Sequence, residues 1–143
     1  MTGLLKTSAV LWVIWGLVHV FAGVMTLSQP IPGAIGGIAD AVDPATLAMD
    51  YPAAVGGILN QHGFNLAWFG LVTIVAGVYI WRGSSLAIFI AALVGGLADV
   101  GYFLFIDLAG FANFVPGTVM TIVSGSAIAL SFYAHFRGKP EAS

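Results

Sequence analysis

The stretch "LVGGLADVGYFLFID" runs from Leu93 to Asp107. It has the apolar character of a membrane crossing, yet Asp99 sits in its middle with Tyr102 three residues further on. An Asp near the centre of a membrane helix costs about 2.5–3.5 kcal/mol to insert, so it normally faces a partner, a cavity or a pathway. The fold therefore turns on whether the rest of the chain is membrane-embedded, and the function on what meets this carboxylate.

The chain of 143 residues is long enough for one domain, and it is 59% hydrophobic and 7% charged. A soluble domain carries about 25% charged residues. Four segments, approximately 5–27, 61–81, 86–106 and 116–136, stay apolar over the roughly 20 residues that a bilayer crossing needs. The expectation is an all-α, integral membrane four-helix bundle forming one domain over residues 1–143. The first apolar run is longer than a signal-peptide core of about 7–15 residues, and no A-x-A-like site follows it, so it reads as a retained helix.

Orientation follows from the basic residues. Lys6 precedes helix 1, Arg82 separates helices 2 and 3, and Arg137 and Lys139 follow helix 4. The other connections hold Asp40, Asp43, Asp50 and Asp107 and no Lys or Arg. Both termini are expected to be cytoplasmic in an inner membrane, with the loop 28–60 outside. Without cysteine there are no disulfides, thiolate metal sites or cysteine nucleophiles. A net charge of −2 with no basic cluster argues against nucleic acid.

Within the outer loop, "QPIPGAIGG" is turn-rich and "DPATLAMD" reads as a short helix with Asp43 as N-cap and Pro44 at its first position. "YPAAVGGILN" is too apolar for a free loop and is expected on the mouth of the bundle. Pro116 suits the first turn of helix 4.

Helical spacing places Ala92, Gly95, Gly96, Asp99, Tyr102, Phe103 and Ile106 on one stripe of helix 3. Trp12, Trp15, Gly16, His19, Gly23 and Thr26 form a stripe on helix 1. At 1.5 Å per residue, His19 and Asp99 each lie roughly 12 Å inside their outer ends, which makes them candidate partners. Helix 2 adds Gln61, His62 and Asn65, and helix 4 adds Thr118, Thr121 and Ser124, so the polar groups gather in the outer half. The tryptophans read as packing residues or interface anchors.

Three chemistries fit this set. An imidazole, at His19 or His62, is able to ligate haem or another metal. An Asp–His pair serves as acid and base or relays protons. His, Asn, Asp and Tyr together suit hydrogen bonding to the oxygen of a lipophilic small molecule, such as a quinone or an epoxide. Transport is less favoured, because the chain shows neither convincing repeats nor interrupted helices, and the inner half carries few polar groups, chiefly Thr73, Ser131 and His135.

From helix 2 onward, "NQHGFN" (60–65) and "ADVGYFLF" (98–105) resemble styrene oxide isomerase, a small four-helix bacterial membrane enzyme. That family uses haem b to open aryl epoxides to aldehydes and assembles as a trimer. The resemblance implies His62 as the haem-iron ligand, Asn65 and Tyr102 as groups orienting the epoxide, and Asp99 stabilising a developing cation. Asp99 stands where the family has asparagine, and Tyr102 falls one position before the family's tyrosine, where this chain has Phe103. The expected function is binding of a lipophilic small molecule or haem in an outward-facing polar chamber, with epoxide isomerisation as the activity. The expected partners are the bilayer and, for assembly, further copies of the chain. The alternative is a non-catalytic accessory subunit of a larger respiratory or photosynthetic complex.

Overall fold

The structure is a computed structural model that describes residues 3–137; Lys139, one of the four orienting charges, lies outside them. Four helices are long and apolar enough to cross a membrane: α1 (Gly3–Ser28), α4 (Ala53–Trp81), α5 (Ser85–Asp107) and α6 (Val119–Arg137). Two short helices, α2 (Ile31–Ile38) and α3 (Pro44–Leu47), lie in the connection between α1 and α4. The described residues contain no strand. The end of the helices bearing this connection is called distal here, and the end bearing the termini proximal.

Two boundaries differ from the sequence expectation. Residues 53–60 are not a segment resting on the helix mouth but the first turns of α4. "IPGAIGGI" is a helix rather than a series of turns, starting with proline in its first turn, where a missing N–H leaves no bond unmade. The α3 cap is as read: Asp43 Oδ1 accepts from the Ala45 amide at 2.8 Å, with Pro44 at the first position.

α1 packs on α4 and α6, and α5 packs on the same two helices. Lipid gives helices no hydrophobic reason to associate, so close backbone approach through small residues takes that role. Along α1 these are Ala9, Gly16 and Gly23; along α4 they are Gly77, Gly70 and Gly63, both series at seven-residue spacing. A Cβ on Gly16 would lie 2.6 Å from Gly70 O, and one on Gly23 2.5 Å from Gly63 O. A Cβ on Gly77 would lie 2.9 Å from Ala9 O. A seven-residue repeat keeps one seam facing its partner along a gently supercoiled antiparallel pair.

Below the distal end, Trp12 and Trp15 are fully buried and meet edge to face at 6.0 Å. They join Ala76, Ile80, Ala91 and Ala127 in the apolar core. Gly95 is the residue that admits Trp12, since a Cβ there would sit 2.5 Å from the indole. The Ser8 hydroxyl donates to Ala127 O at 2.8 Å and ties α1 to α6.

α5 is not uniform. Residues 92–96 and 103–107 form wider π turns on either side of Asp99. The buried positions Ala91, Gly95 and Asp99 are each four apart. In an α-helix each four-residue step drifts by roughly 40°. The wider turn takes up that drift and keeps the three in line with the interior; such bulges often mark functional sites.

The proximal turn between α4 and α5 is closed by Gly83 at φ 87°, with Ser84 N–H bonded to Tyr79 O at 3.0 Å and Gly83 N–H to Ile80 O at 2.9 Å. Before α6 the chain is extended at Val115 (φ −116°, ψ 127°), as the residue preceding a proline is driven to be. The kink is confined to Val115, and helical backbone resumes at residue 116 and runs through a wide turn into α6, so the helix starts where Pro116 predicts.

Candidate functional site

Asp99 is buried, 4% exposed, at the level where α1, α5 and α6 meet. The Trp15 indole N–H donates to Asp99 Oδ2 at 2.7 Å, a charge-assisted geometry when the carboxyl is ionised. Ser124, also buried, reaches the carboxyl from α6, and its hydroxyl lies 3.1 Å from Thr121 O. The other carboxyl oxygen faces His19, with Nε2 3.8 Å from Oδ1. That separation is an electrostatic contact rather than a hydrogen bond.

The His19 ring is fixed from two sides. It stacks on Trp15, with centroids 3.5 Å apart and planes 16° from parallel. Its Nδ1 lies 2.8 Å from the Trp15 carbonyl. A carbonyl only accepts, so Nδ1 carries a hydrogen and, in the neutral ring, Nε2 presents its lone pair toward Asp99. One residue thus positions both members of the pair: Trp15 holds Asp99 by its side chain and His19 by its backbone and ring face.

These groups open onto a cavity of about 100 Å³. Its polar wall is His19, His62, Asp99 and Tyr102, and Met120 and Leu66 are among its apolar lining. The roof is the end of α2, at Gly37 and Ile38. Tyr102 reaches up to it, its hydroxyl 3.3 Å from Ile38 O, while packing against Gly117, where any Cβ would collide with the ring. The roof is held again further out. Asp40 Oδ1 accepts from the Asn113 amide at 2.7 Å, and Ala41 N–H donates to Phe111 O at 2.9 Å.

Four of the five candidate residues, His19, His62, Asp99 and Tyr102, share this cavity. Asn65 does not line it; its Oδ1 accepts from the half-exposed Trp68 indole at 3.1 Å. Helix phase is the reason, because Leu66, one step of about 100° on, takes the inward position one turn below His62. The Tyr102 hydroxyl is engaged with the roof carbonyl instead of standing free. Phe103, where the resembled family has its tyrosine, faces outward and is 39% exposed.

Trp15 and the α2 roof were missed as site elements. Trp15 carried a signal, since it lies one turn before His19 on the same stripe; Ile38 carried none, because its place depends on contacts 64 residues away.

Among the described residues, no three His, Asp or Glu side chains are grouped to hold a metal ion. A haem on His62 would need room for a porphyrin. Pockets for drug-sized ligands start at about 300 Å³, and a porphyrin is larger than that class of ligand, so it does not fit this cavity. The space suits a ligand somewhat smaller than benzene, which an apolar cavity of about 150 Å³ accepts.

No family model, curated protein or solved structure matches this chain.

Proposed function

We propose that the chain is a four-helix membrane bundle, with both termini cytoplasmic, that binds a small lipophilic molecule bearing an oxygen in its outward half. The observation that carries this reading is the pairing of His19 Nε2 with Asp99 Oδ1 at 3.8 Å on the wall of a roofed, mainly apolar cavity. A buried acid–base pair beside apolar space suits a substrate with a hydrocarbon body and one polar atom. The cluster of Asp40, Asp43, Asp50 and Asp107 toward the distal end, against Lys6, Arg82 and Arg137 at the proximal end, supports the orientation.

The reaction this arrangement serves best is isomerisation of a small epoxide to a carbonyl compound. A proton held between His19 and Asp99 passes to the epoxide oxygen as the C–O bond breaks. A hydrogen migrates with its electron pair to the carbon left electron-poor, which the carboxylate side of the pair stabilises. The O–H proton then returns to the pair as the carbonyl forms, so atoms and charge balance without a co-reactant. His62 and Tyr102 shape the polar wall. An aryl epoxide, the substrate class implied by the sequence resemblance, would require the α2 roof to lift.

The test is incubation of the detergent-purified protein with ethyloxirane and measurement of butanal. Turnover that falls at least about a hundredfold in both Asp99→Asn and His19→Ala supports the reading, as expected for loss of a general acid or base. Turnover unchanged in both variants removes the pair from the chemistry.

A second reading, assembly with other membrane chains, is favoured by one observation. Gly125, Ser126 and Ala129 lie exposed on α6, and a Cβ at Gly125 would meet nothing within 4 Å. Small residues on an exposed face admit another helix closely. Copurification with larger subunits would favour the accessory role, and a discrete oligomer of this chain alone would favour self-association.

A further inference from the structure

The proximal half of the molecule holds a second feature, unrelated to the chamber. Between α1 and α4 runs a groove of about 510 Å³, walled by Val10, Val13 and Ile14 on one side and Val78 and Trp81 on the other. It follows α1 from Ala9 to Ile14, a length of roughly 8 Å at 1.5 Å per residue. Arg82 stands at its mouth. A smaller depression of about 330 Å³, lined by Lys6, adjoins it through Val10 and Trp81, which wall both.

Three features there suit an acidic headgroup. The Lys6 ammonium lies 5.1 Å from the centroid of the Trp81 ring, and Arg82 lies 5.9 Å from that of Tyr79. Aromatic faces hold both cations at the level where tryptophan and tyrosine favour the membrane–water boundary. Neither cation has a carboxylate partner among the described residues, whose acids, Asp40, Asp43, Asp50, Asp99 and Asp107, all lie toward the other end. The Trp81 indole, 46% exposed, donates to no described residue, leaving a further hydrogen-bond donor at the mouth.

We infer that this groove is a binding site for an anionic phospholipid, with its phosphate between Lys6 and Arg82 and an acyl chain along Val10, Val13 and Ile14. An apolar wall alone would select no lipid over another, since every outward face of α1 meets acyl chains. Two cations without carboxylate partners, on the two adjoining depressions that Trp81 joins, do select, because the phosphate of a zwitterionic lipid comes with its own positive charge. Basic pockets between helices at the membrane surface recognise acidic headgroups in this way.

Native mass spectrometry of the detergent-purified full chain tests the site, with phosphatidylglycerol and phosphatidylcholine of identical chains as probes. Each surface cation contributes roughly fivefold in affinity, so Lys6→Gln with Arg82→Gln is expected to weaken phosphatidylglycerol binding about 30-fold. Arg137→Gln, which removes one positive charge elsewhere at the proximal end, is expected to leave it within about twofold. Ile14→Trp fills the groove with both cations kept, and is expected to lower binding as well; it decides the matter if the double variant fails to fold. Equal retention of the two lipids by the wild-type chain would overturn the site. So would phosphatidylglycerol binding that Ile14→Trp leaves unchanged, or that falls as far in Arg137→Gln as in the double variant.

Discussion

Trp15 donates its indole N–H to Asp99 Oδ2 at 2.7 Å, joining the centre of α1 to the centre of α5. The same tryptophan accepts from His19 through its carbonyl and stacks beneath the imidazole. The carboxylate that stands out in the sequence is thus held by an indole, and the imidazole opposite it is held by the same residue.

Trp15→Phe keeps most of the ring and removes the donor. It is expected to destabilise the chain by about 1–2 kcal/mol, the upper range for hydrogen bonds inside membranes. Asp99→Asn, whose amide oxygen still accepts from Trp15, is expected to lose less. Reversible unfolding in mixed micelles measures both, and a larger loss for Asp99→Asn than for Trp15→Phe would mean that the charge matters more than the bond.

The contact between His19 and Asp99 sets a second expectation. His19→Ala and Asp99→Asn are expected to be non-additive, with a coupling of about 0.5–1.5 kcal/mol in a double-mutant cycle on stability. Additive effects would mean that the 3.8 Å contact carries no energy.

The seven-residue glycine seam distinguishes glycines that look alike in sequence. Gly70→Ala places a methyl against the Gly16 carbonyl and the Val20 amide and is expected to cost about 1–3 kcal/mol. Gly101→Ala and Gly125→Ala meet open space and are expected to be neutral, or stabilising by up to about 1 kcal/mol. The same unfolding measurement, applied to all three, checks the ranking.

Much of this was legible in advance. Composition and hydropathy reveal four long apolar helices, and helical phase with matched depth brings His19 to Asp99. The Asp43–Pro44 cap follows from local chemistry alone. What sequence could not supply depends on long-range contact. Residues 53–60 continue α4 to the distal end, where it packs on α2 and Gly56 comes close to Ile31. The α2 roof is placed by Tyr102, Asn113 and Phe111, all distant in the chain. Asn65 illustrates the other limit: three residues beyond His62, it sits on the same broad face, yet a step of about 100° gives the cavity to Leu66.

The roof latch has its own test. Asp40→Ala removes the acceptor of the Asn113 amide, and hydrogen exchange at the Ala41 amide, bonded to Phe111 O, is expected to accelerate at least about tenfold. Unchanged exchange would show that the α2 end is held without Asp40.

The chamber's claim to a small oxygenated lipophile is tested most directly by binding. Ethyloxirane and ethylcyclopropane differ only by oxygen against CH₂, and calorimetric titration of the detergent-purified chain with each compares them at nearly constant shape. Tighter binding of the oxirane by about tenfold, the scale of one hydrogen bond, with the difference abolished in Asp99→Asn, is the expected result. Equal binding of the two molecules, or binding of neither, would contradict the account.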